Sequence, residues 1–144
     1  MVKQMIELLR QRKCRVTPKR KAILAVLPNC GQFFSVTQVF DWVKQIHPAV
    51  SLDTIYRNLN LFSALGVIHQ IHLPGGDGNV YELAKEPHHH LVCLGCGKIQ
   101  CIDYGPVDLV ALNEAWEPDF KICRYSLQFY GYCHDCRAAA VIGV

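Results

Sequence analysis

The sequence predicts an α+β chain in two parts: a helical N-terminal half that ends in a β-hairpin, and a smaller half of mixed helix and strand. Three features of its 144 residues support this prediction. Apolar residues follow a helical period before Gly66 and an alternating period after it. Lys and Arg concentrate in the first 84 residues, and six of the eight cysteines lie in the last 60. A hydrophobic content of 51% argues against disorder.

Two helices open the chain. The first is predicted over residues 3–13. The second begins after Thr17, because threonine caps helix N-termini and Pro18 has the backbone angle of a first helical residue. Pro28 limits this second helix, since proline cannot continue one.

Two further helices follow. Ser35 and Gln38 match a capping box, and Ser51 caps the next helix, which Gly66 ends. The apolar residues of both helices recur at i, i+3, i+4 and i+7, the spacing of one buried face. The positions predicted to be buried are Val36, Val39, Phe40, Val43, Leu52, Ile55, Leu59 and Phe62.

Residues 67–73 and 79–84 predict two strands joined by the glycine-rich turn 74–78. Helices followed by such a hairpin are the pattern of a winged helix, in which the helix before the hairpin enters the DNA major groove. We therefore predict that residues 1–84 form a winged-helix DNA-binding domain.

The distribution of charge agrees with that prediction. Residues 1–84 carry ten Lys or Arg and five Asp or Glu, a net charge of +5, whereas residues 85–144 carry five and seven, a net charge of −2. A basic half indicates a polyanion partner, although a solvated basic helix has the same composition.

The outer face of the fourth helix carries polar side chains together with an arginine and a tyrosine. Tyr56 and Arg57, beside Thr54, are predicted to face the bases, since arginine forks onto guanine and tyrosine reaches a thymine methyl or a phosphate. Asn58 and Asn60 are expected to be helix-surface residues that make no contact with DNA. The residues predicted to contact phosphate or the minor groove are Arg15, Lys19, Arg20 and Lys21.

The second half begins after a polar break at residues 85–87, which we predict to be a hinge, and spans 88–144. Strands are predicted over 90–94, 99–103 and 120–132, and a helix over 106–116.

Two Cys-x-x-Cys pairs lie in this half. Cys93 with Cys96 and Cys133 with Cys136 each present two sulfurs on a tight turn, and together they close a tetrahedral thiolate site for a structural zinc. A redox dithiol and chance spacing are the alternatives, but a thioredoxin-like motif requires a βαβ unit, which the pattern does not contain.

Three consecutive histidines precede Cys93. In a strand, His88 and His90 point to the same side and His89 to the other. His88 and His90 therefore make a two-nitrogen clamp for a first-row metal. The alternative is a solvated loop.

These motifs together resemble the ferric uptake regulator superfamily of bacterial metal-responsive repressors. The resemblance is carried by Ser-Leu-Asp-Thr-Ile-Tyr-Arg-Asn-Leu from Ser51, by Tyr-Glu-Leu from Tyr81, by His88 to Lys98, and by Tyr130 to Cys136. It implies a C-terminal α/β dimerisation domain, a homodimer, a four-cysteine zinc and a regulatory metal at the domain junction. The filled regulatory site would hold the winged helices in a DNA-competent spacing on an inverted-repeat operator.

Within the superfamily, the chain is most similar to zinc uptake regulators. Iron and peroxide sensors have a histidine where Phe33 stands and an acidic ligand where Cys101 stands. Zinc sensors take a ligand from the first wing strand, where His69 stands, whereas Glu82 matches iron sensors. The resemblance thus implies a regulatory zinc held by His69, Glu82, His88 and His90, with Fe²⁺, Mn²⁺ or peroxide sensing as alternatives. Cys101 and His89 are the extra ligands that it leaves open.

An auxiliary third site is expected to be weak or absent, because Tyr125 stands at one ligand position; its remnants would be His89, Asp103 and Glu114. The chain has no apolar run of about 20 residues and no signal peptide, so we expect the cytosol and no membrane. A zinc hydrolase with Glu82 as its base is the alternative class, but nothing resembles a pocket for a small organic substrate, and the basic helices would stay unexplained.

Overall fold

A computed structural model describes residues 1–75, 78–84, 88–103, 105, 107–116 and 118–139. The chain divides into two compact units, Met1–Ala84 and Lys85–Val144. The predicted hinge, residues 85–87, lies outside the described residues. None of the described helices is long and apolar enough to cross a membrane.

The first unit contains the four helices that the sequence predicts. They are α1 (Val2–Gln11), α2 (Pro18–Val26), α3 (Val36–Ile46) and α4 (Leu52–Ala64), with a 3-10 turn at Leu27–Asn29. The caps are as predicted: the Thr17 side chain accepts from the Arg20 amide, and Ser51 accepts from the Thr54 amide. The capping box is confirmed, since Ser35 and Gln38 each accept from the other's backbone N–H, at 3.2 and 2.8 Å. Satisfied amides at these helix starts fix where α3 and α4 begin.

An antiparallel sheet completes the first unit, in the strand order β1-β3-β2. Its strands are β1 (Phe34–Ser35), β2 (Ile68–His72) and β3 (Asn79–Leu83). The predicted hairpin is thus confirmed. Gly66 ends α4 with a φ of +74°, a left-handed conformation that glycine adopts without strain. The two-residue strand β1 was missed, because a segment this short has no detectable period.

The core of the first unit is formed by the predicted helical stripes and the hairpin. Ile55, Leu59 and Phe62 of α4 are completely buried. Leu52 was predicted to join them, but it is 46% exposed. Leu52 is the first residue of α4. The helical spacing places it on the same face as the buried residues, but the core does not reach this end of the helix. The stripe holds α4 against the unit and leaves its outer face open.

The described residues of the second unit form a sheet and two short helices. The strands β4 (His89–Cys93), β5 (Ile99–Ile102) and β6 (Gln128–Gly131) have the order β5-β4-β6. β4 is antiparallel to β5 and parallel to β6. The helices are α5 (Leu109–Trp116) and α6 (His134–Ala139). α6 was not predicted.

The predicted strand over residues 120–132 is wrong for its first part, since only Gln128–Gly131 is strand. The Asn113 side-chain amide supplies the physical reason. Its Oδ1 accepts from the Ile122 N–H at 2.6 Å and its Nδ2 donates to the Ile122 carbonyl at 3.0 Å. A helix side chain thus satisfies backbone groups that a neighbouring strand would otherwise bind.

The two units differ in their cores. The hydrophobic cluster consists of residues of the first unit. Among the described residues of the second unit, the buried apolar side chains are Val92 and Cys93, and α5 buries none. The second unit therefore needs a stabilising element other than apolar packing within one chain.

Candidate metal centres and nucleic-acid-binding surface

Four cysteine sulfurs converge in the second unit. Those of Cys93, Cys96, Cys133 and Cys136 all lie within 4.8 Å of one another, and the Cys96 and Cys133 sulfurs are 3.8 Å apart. Sulfurs about 2.3 Å from a tetrahedral zinc are about 3.8 Å apart. The structure thus brings the four predicted residues together, with one sulfur pair at the distance expected in a tetrahedral zinc site.

The electrostatics of this cluster call for a cation. The Cys133 amide donates to Cys93 Sγ at 3.2 Å, and this bond, with those from the Cys96 and Gly95 amides, lowers the pKa of the Cys93 thiol to about 6. Hydrogen bonds with the Cys133, Cys96 and Cys93 sulfurs raise the pKa of Cys136 to about 12. Four adjacent thiols cannot all ionise alone, but a divalent ion stabilises them as thiolates.

A glycine in the first Cys-x-x-Cys turn makes this convergence sterically feasible. A Cβ at Gly95 would lie 2.9 Å from Cys136 Sγ and 3.0 Å from Cys136 Cβ. The first distance is one that real Cβ atoms essentially never show, and the second is tighter than most Cβ contacts, so a side chain here would require Cys136 to shift. Sequence reasoning recognised this glycine only as part of a turn.

The second cluster contains the two clamp histidines and Cys101. The rings of His88 and His90 have centroids 4.8 Å apart, and one ligand atom from each of His88, His90 and Cys101 lies within 4.8 Å of the other two. The β4–β5 register pairs His90 directly with Cys101, so both side chains lie on the same face of the sheet. The two nitrogens and the sulfur are therefore positioned by one hairpin.

The remaining residues of the predicted regulatory set, His69 and Glu82, lie in the first unit. They are cross-strand partners in the wing hairpin. Glu82 is completely buried, whereas the His69 side chain is exposed on β2. A buried carboxylate is costly unless a cation or hydrogen bonds compensate it.

His89 points away from the clamp, as strand alternation predicts. Its Nε2 donates to the Gly105 carbonyl at 3.2 Å, and its ring lies 5.8 Å from that of Tyr125. In the part of the chain that the structure describes, His89, Asp103 and Glu114 form no metal-binding group. Its contacts give His89 a packing role.

The outer face of α4 presents the residues predicted to read bases. Tyr56 is 44% exposed, and the Arg57 side chain is 77% exposed. Arg57 Nε lies 2.9 Å from the Asp53 carboxylate, one turn earlier in α4. This ion pair was missed, although the i,i+4 spacing of Asp and Arg indicates it.

The basic residues before α4 divide into two groups. Arg15 and Lys19 are exposed. Arg20 is half-buried: its Nε donates to Asn58 Oδ1 at 3.0 Å and its Nη1 donates to the Arg15 carbonyl. Asn58 in turn donates to the Thr54 carbonyl at 2.7 Å. Asn58, which was expected to make no contact with DNA, therefore connects α4 to α2.

Comparisons with known proteins agree with this geometry. The sequence model described as the Ferric uptake regulator family matches residues 11–130. The peroxide-responsive repressor PerR of Staphylococcus saprophyticus is 31% identical over 90% of this chain and 86% of its own length. The ferric uptake regulation protein of Staphylococcus aureus is 32% identical over 92% of this chain and 95% of its own. The solved Pseudomonas aeruginosa ferric uptake regulator with manganese has a TM-score of 0.64 at 27% identity, covering 88% of this chain and 95% of that one.

The close approach at Gly95 generates a test of the four-cysteine site. Gly95→Ala should displace Cys136 and lower zinc retention roughly tenfold or more, the scale seen when the surroundings of a metal site are disturbed. Zinc per chain is measured against increasing chelator. Gly131→Ala is the matched control, because a Cβ there meets open space. Equal zinc retention in both variants would contradict the inferred role of Gly95.

Proposed function

This chain belongs to the ferric uptake regulator family, and from that premise we propose that it is a zinc-responsive repressor, active on operator DNA when its regulatory site is filled. Members of the family are metal-responsive transcription regulators, not enzymes, and bind DNA as dimers. The named relatives answer to different signals, peroxide for one and iron for another. The observation that carries the proposal of zinc is the grouping of Cys101 with His88 and His90.

A thiolate in the regulatory set favours zinc over iron or manganese. Soft sulfur ligands select Zn²⁺, whereas carboxylate and water suit Mn²⁺. We propose that His88, His90 and Cys101 hold the ion with a fourth ligand from the first unit. Glu82 is the better candidate, since it is a fully buried carboxylate, while His69 is exposed. His69 stays a prediction from the resemblance.

Exposed apolar side chains on the second unit support dimerisation there. Leu91, Phe129, Tyr130 and Tyr132 are between 39% and 47% exposed, and Trp116 is 61% exposed. Exposed apolar side chains on a unit whose described residues bury few others indicate a surface covered by a partner. We propose a second copy of the chain as that partner.

The proposed dimer presents two α4 helices to DNA. A symmetric pair of recognition helices matches an inverted repeat. In this proposal Tyr56 and Arg57, beside Thr54, face the bases, and Arg15 and Lys19 contact the phosphates. Arg20 holds α4 through its hydrogen bond with Asn58, and only the guanidinium N–H groups not used within the chain are available to DNA.

The metal would act by shifting a population. An ion with ligands from both units fixes the angle between them, and that angle determines whether both α4 helices reach successive major grooves. The ion can raise DNA affinity only by as much as it binds the DNA-competent arrangement more tightly than the other arrangements.

The proposal is tested by measuring DNA affinity against buffered free metal. Zinc should drive binding at a lower free concentration than Fe²⁺ or Mn²⁺, and chelation of the regulatory ion should reverse it. Affinity should fall steeply with salt, since several Lys and Arg release counterions. If Fe²⁺ or Mn²⁺ acts at the lower concentration, the zinc assignment fails and only the family assignment stands.

Loss of a clamp histidine should disable the response without unfolding the protein. Mutating a residue that merely hydrogen-bonds to a metal ligand typically lowers metal affinity by about 10- to 100-fold. Loss of a ligand itself should cost more, so His88→Ala should raise the free zinc concentration needed for DNA binding by more than about 100-fold. Dimer mass and the four-cysteine zinc should not change. His47→Ala, at the end of α3 and in neither cluster, is the matched control. A normal zinc response of His88→Ala would remove it from the ligand set.

Cobalt(II) absorption distinguishes Cys101 from His69 as a ligand. With zinc retained in the four-cysteine site, Co²⁺ in the regulatory site should show sulfur-to-cobalt charge-transfer absorption. Cys101→Ser should abolish that band, while Cys123→Ser, an exposed thiol outside both clusters, should keep it. His69→Ala should leave the charge-transfer band unchanged. It should alter the cobalt d–d spectrum only if His69 binds the ion. A charge-transfer band that survives Cys101→Ser would exclude Cys101.

A further inference from the structure

The recognition surface of α4 contains a carboxylate in contact with its principal base-reading candidate. Asp53 Oδ2 lies 2.9 Å from Arg57 Nε, and the two side chains are 65% and 77% exposed. Asp53 lies in the first turn of α4. A carboxylate on a surface that approaches DNA phosphates opposes binding, so its presence there needs a reason.

The atom that Asp53 contacts supplies that reason. Arginine has five N–H donors, and a guanine O6/N7 edge accepts two of them in a fork. An ion pair at Nε uses one edge of the guanidinium and leaves the terminal amino groups for the base. It also fixes the plane of the guanidinium before DNA arrives, which reduces the conformational entropy lost on binding.

We propose that Asp53 is a specificity-determining residue that positions Arg57 for guanine. This inference rests on the proposed DNA-binding function. Asp53 acts in two opposite directions. It improves the fit of Arg57 to the correct base pair, and it weakens attraction to DNA of any sequence by placing a negative charge near the phosphates.

A role in helix stability alone makes a different prediction. An acid in the first turn favours the helix dipole, and an exposed i,i+4 pair adds a little more. Both effects change the unfolding temperature and lower affinity equally for all DNA sequences. Neither raises non-specific affinity while lowering discrimination at one base pair.

Glu7 provides a matched control. It forms an exposed i,i+3 pair with Arg10 on α1, at 3.6 Å, in the same unit. Glu7→Gln therefore removes one negative charge and one surface ion pair without touching α4.

The experiment uses the full-length zinc-loaded dimer and double-stranded DNA selected from a random pool by the wild-type protein. Affinities of wild type, Asp53→Asn, Asp53→Glu, Arg57→Lys and Glu7→Gln are measured for the selected site, for each single-base-pair change and for unrelated DNA. Asp53→Asn should lose about two- to fivefold discrimination at one G·C position, the scale of an exposed ion pair, and bind unrelated DNA more tightly. Arg57→Lys should lose discrimination at the same position. Asp53→Glu should restore part of it, and Glu7→Gln should keep it.

Three results would overturn the inference. If Asp53→Asn keeps full discrimination and behaves like Glu7→Gln, Asp53 is only a surface charge. If it changes preference at a neighbouring position instead, Asp53 itself accepts from a cytosine amino group. If the wild-type protein selects no DNA with zinc, the proposed function fails first, and the inference with it.

Discussion

The contact of four cysteine sulfurs is the constraint on which the second unit depends. Within one chain this unit buries almost no apolar side chains among its described residues. A zinc bound by these sulfurs would supply folding free energy directly, because the site does not exist in the unfolded chain. Its bonds would join the end of β4, the turn after it, and the start of α6. Gly95 is the residue that permits this approach.

The same strand connects the four-cysteine centre to the proposed regulatory site. Cys93 ends β4, and His89 and His90 begin it. The Cys93 amide donates to the Lys98 carbonyl at 2.9 Å, which closes the hairpin and sets the register that pairs His90 with Cys101. A centre that anchors one end of the hairpin thus determines which residues face each other at the other end. In the proposed function the two clusters therefore differ in role: a zinc on the four cysteines would stabilise the hairpin, and the regulatory ion would bind at its other end.

Much of the first unit could be predicted from sequence, because its signals are local. Thr17, Ser35 and Ser51 mark helix starts, Gly66 marks an end, and the change of apolar period marks the hairpin. Leu52 was placed wrongly because periodicity does not show where the core stops. The contacts of Asn58 with Arg20 could not be inferred, since they join residues 38 positions apart.

The second unit was harder to predict. Its two candidate metal-binding motifs could be recognised from the spacing of Cys and His, but the bounds of its strands depend on which segments pair with each other. Within residues 120–127, which were wrongly predicted to be strand, the Asn113 side chain binds the Ile122 backbone in place of a neighbouring strand. The place of Cys101 beside His90 follows from the hairpin register, which the turn at residues 94–98 sets and which apolar patterning leaves open.

We propose that one zinc per chain maintains the fold and that a second is required for DNA binding. Native mass spectrometry of the protein on its selected DNA counts both ions directly. The account predicts two zinc ions per chain in every DNA-bound dimer, corresponding to the two clusters, and one per chain in free dimers after mild chelation. DNA-bound dimers that carry only the four-cysteine zinc would contradict it.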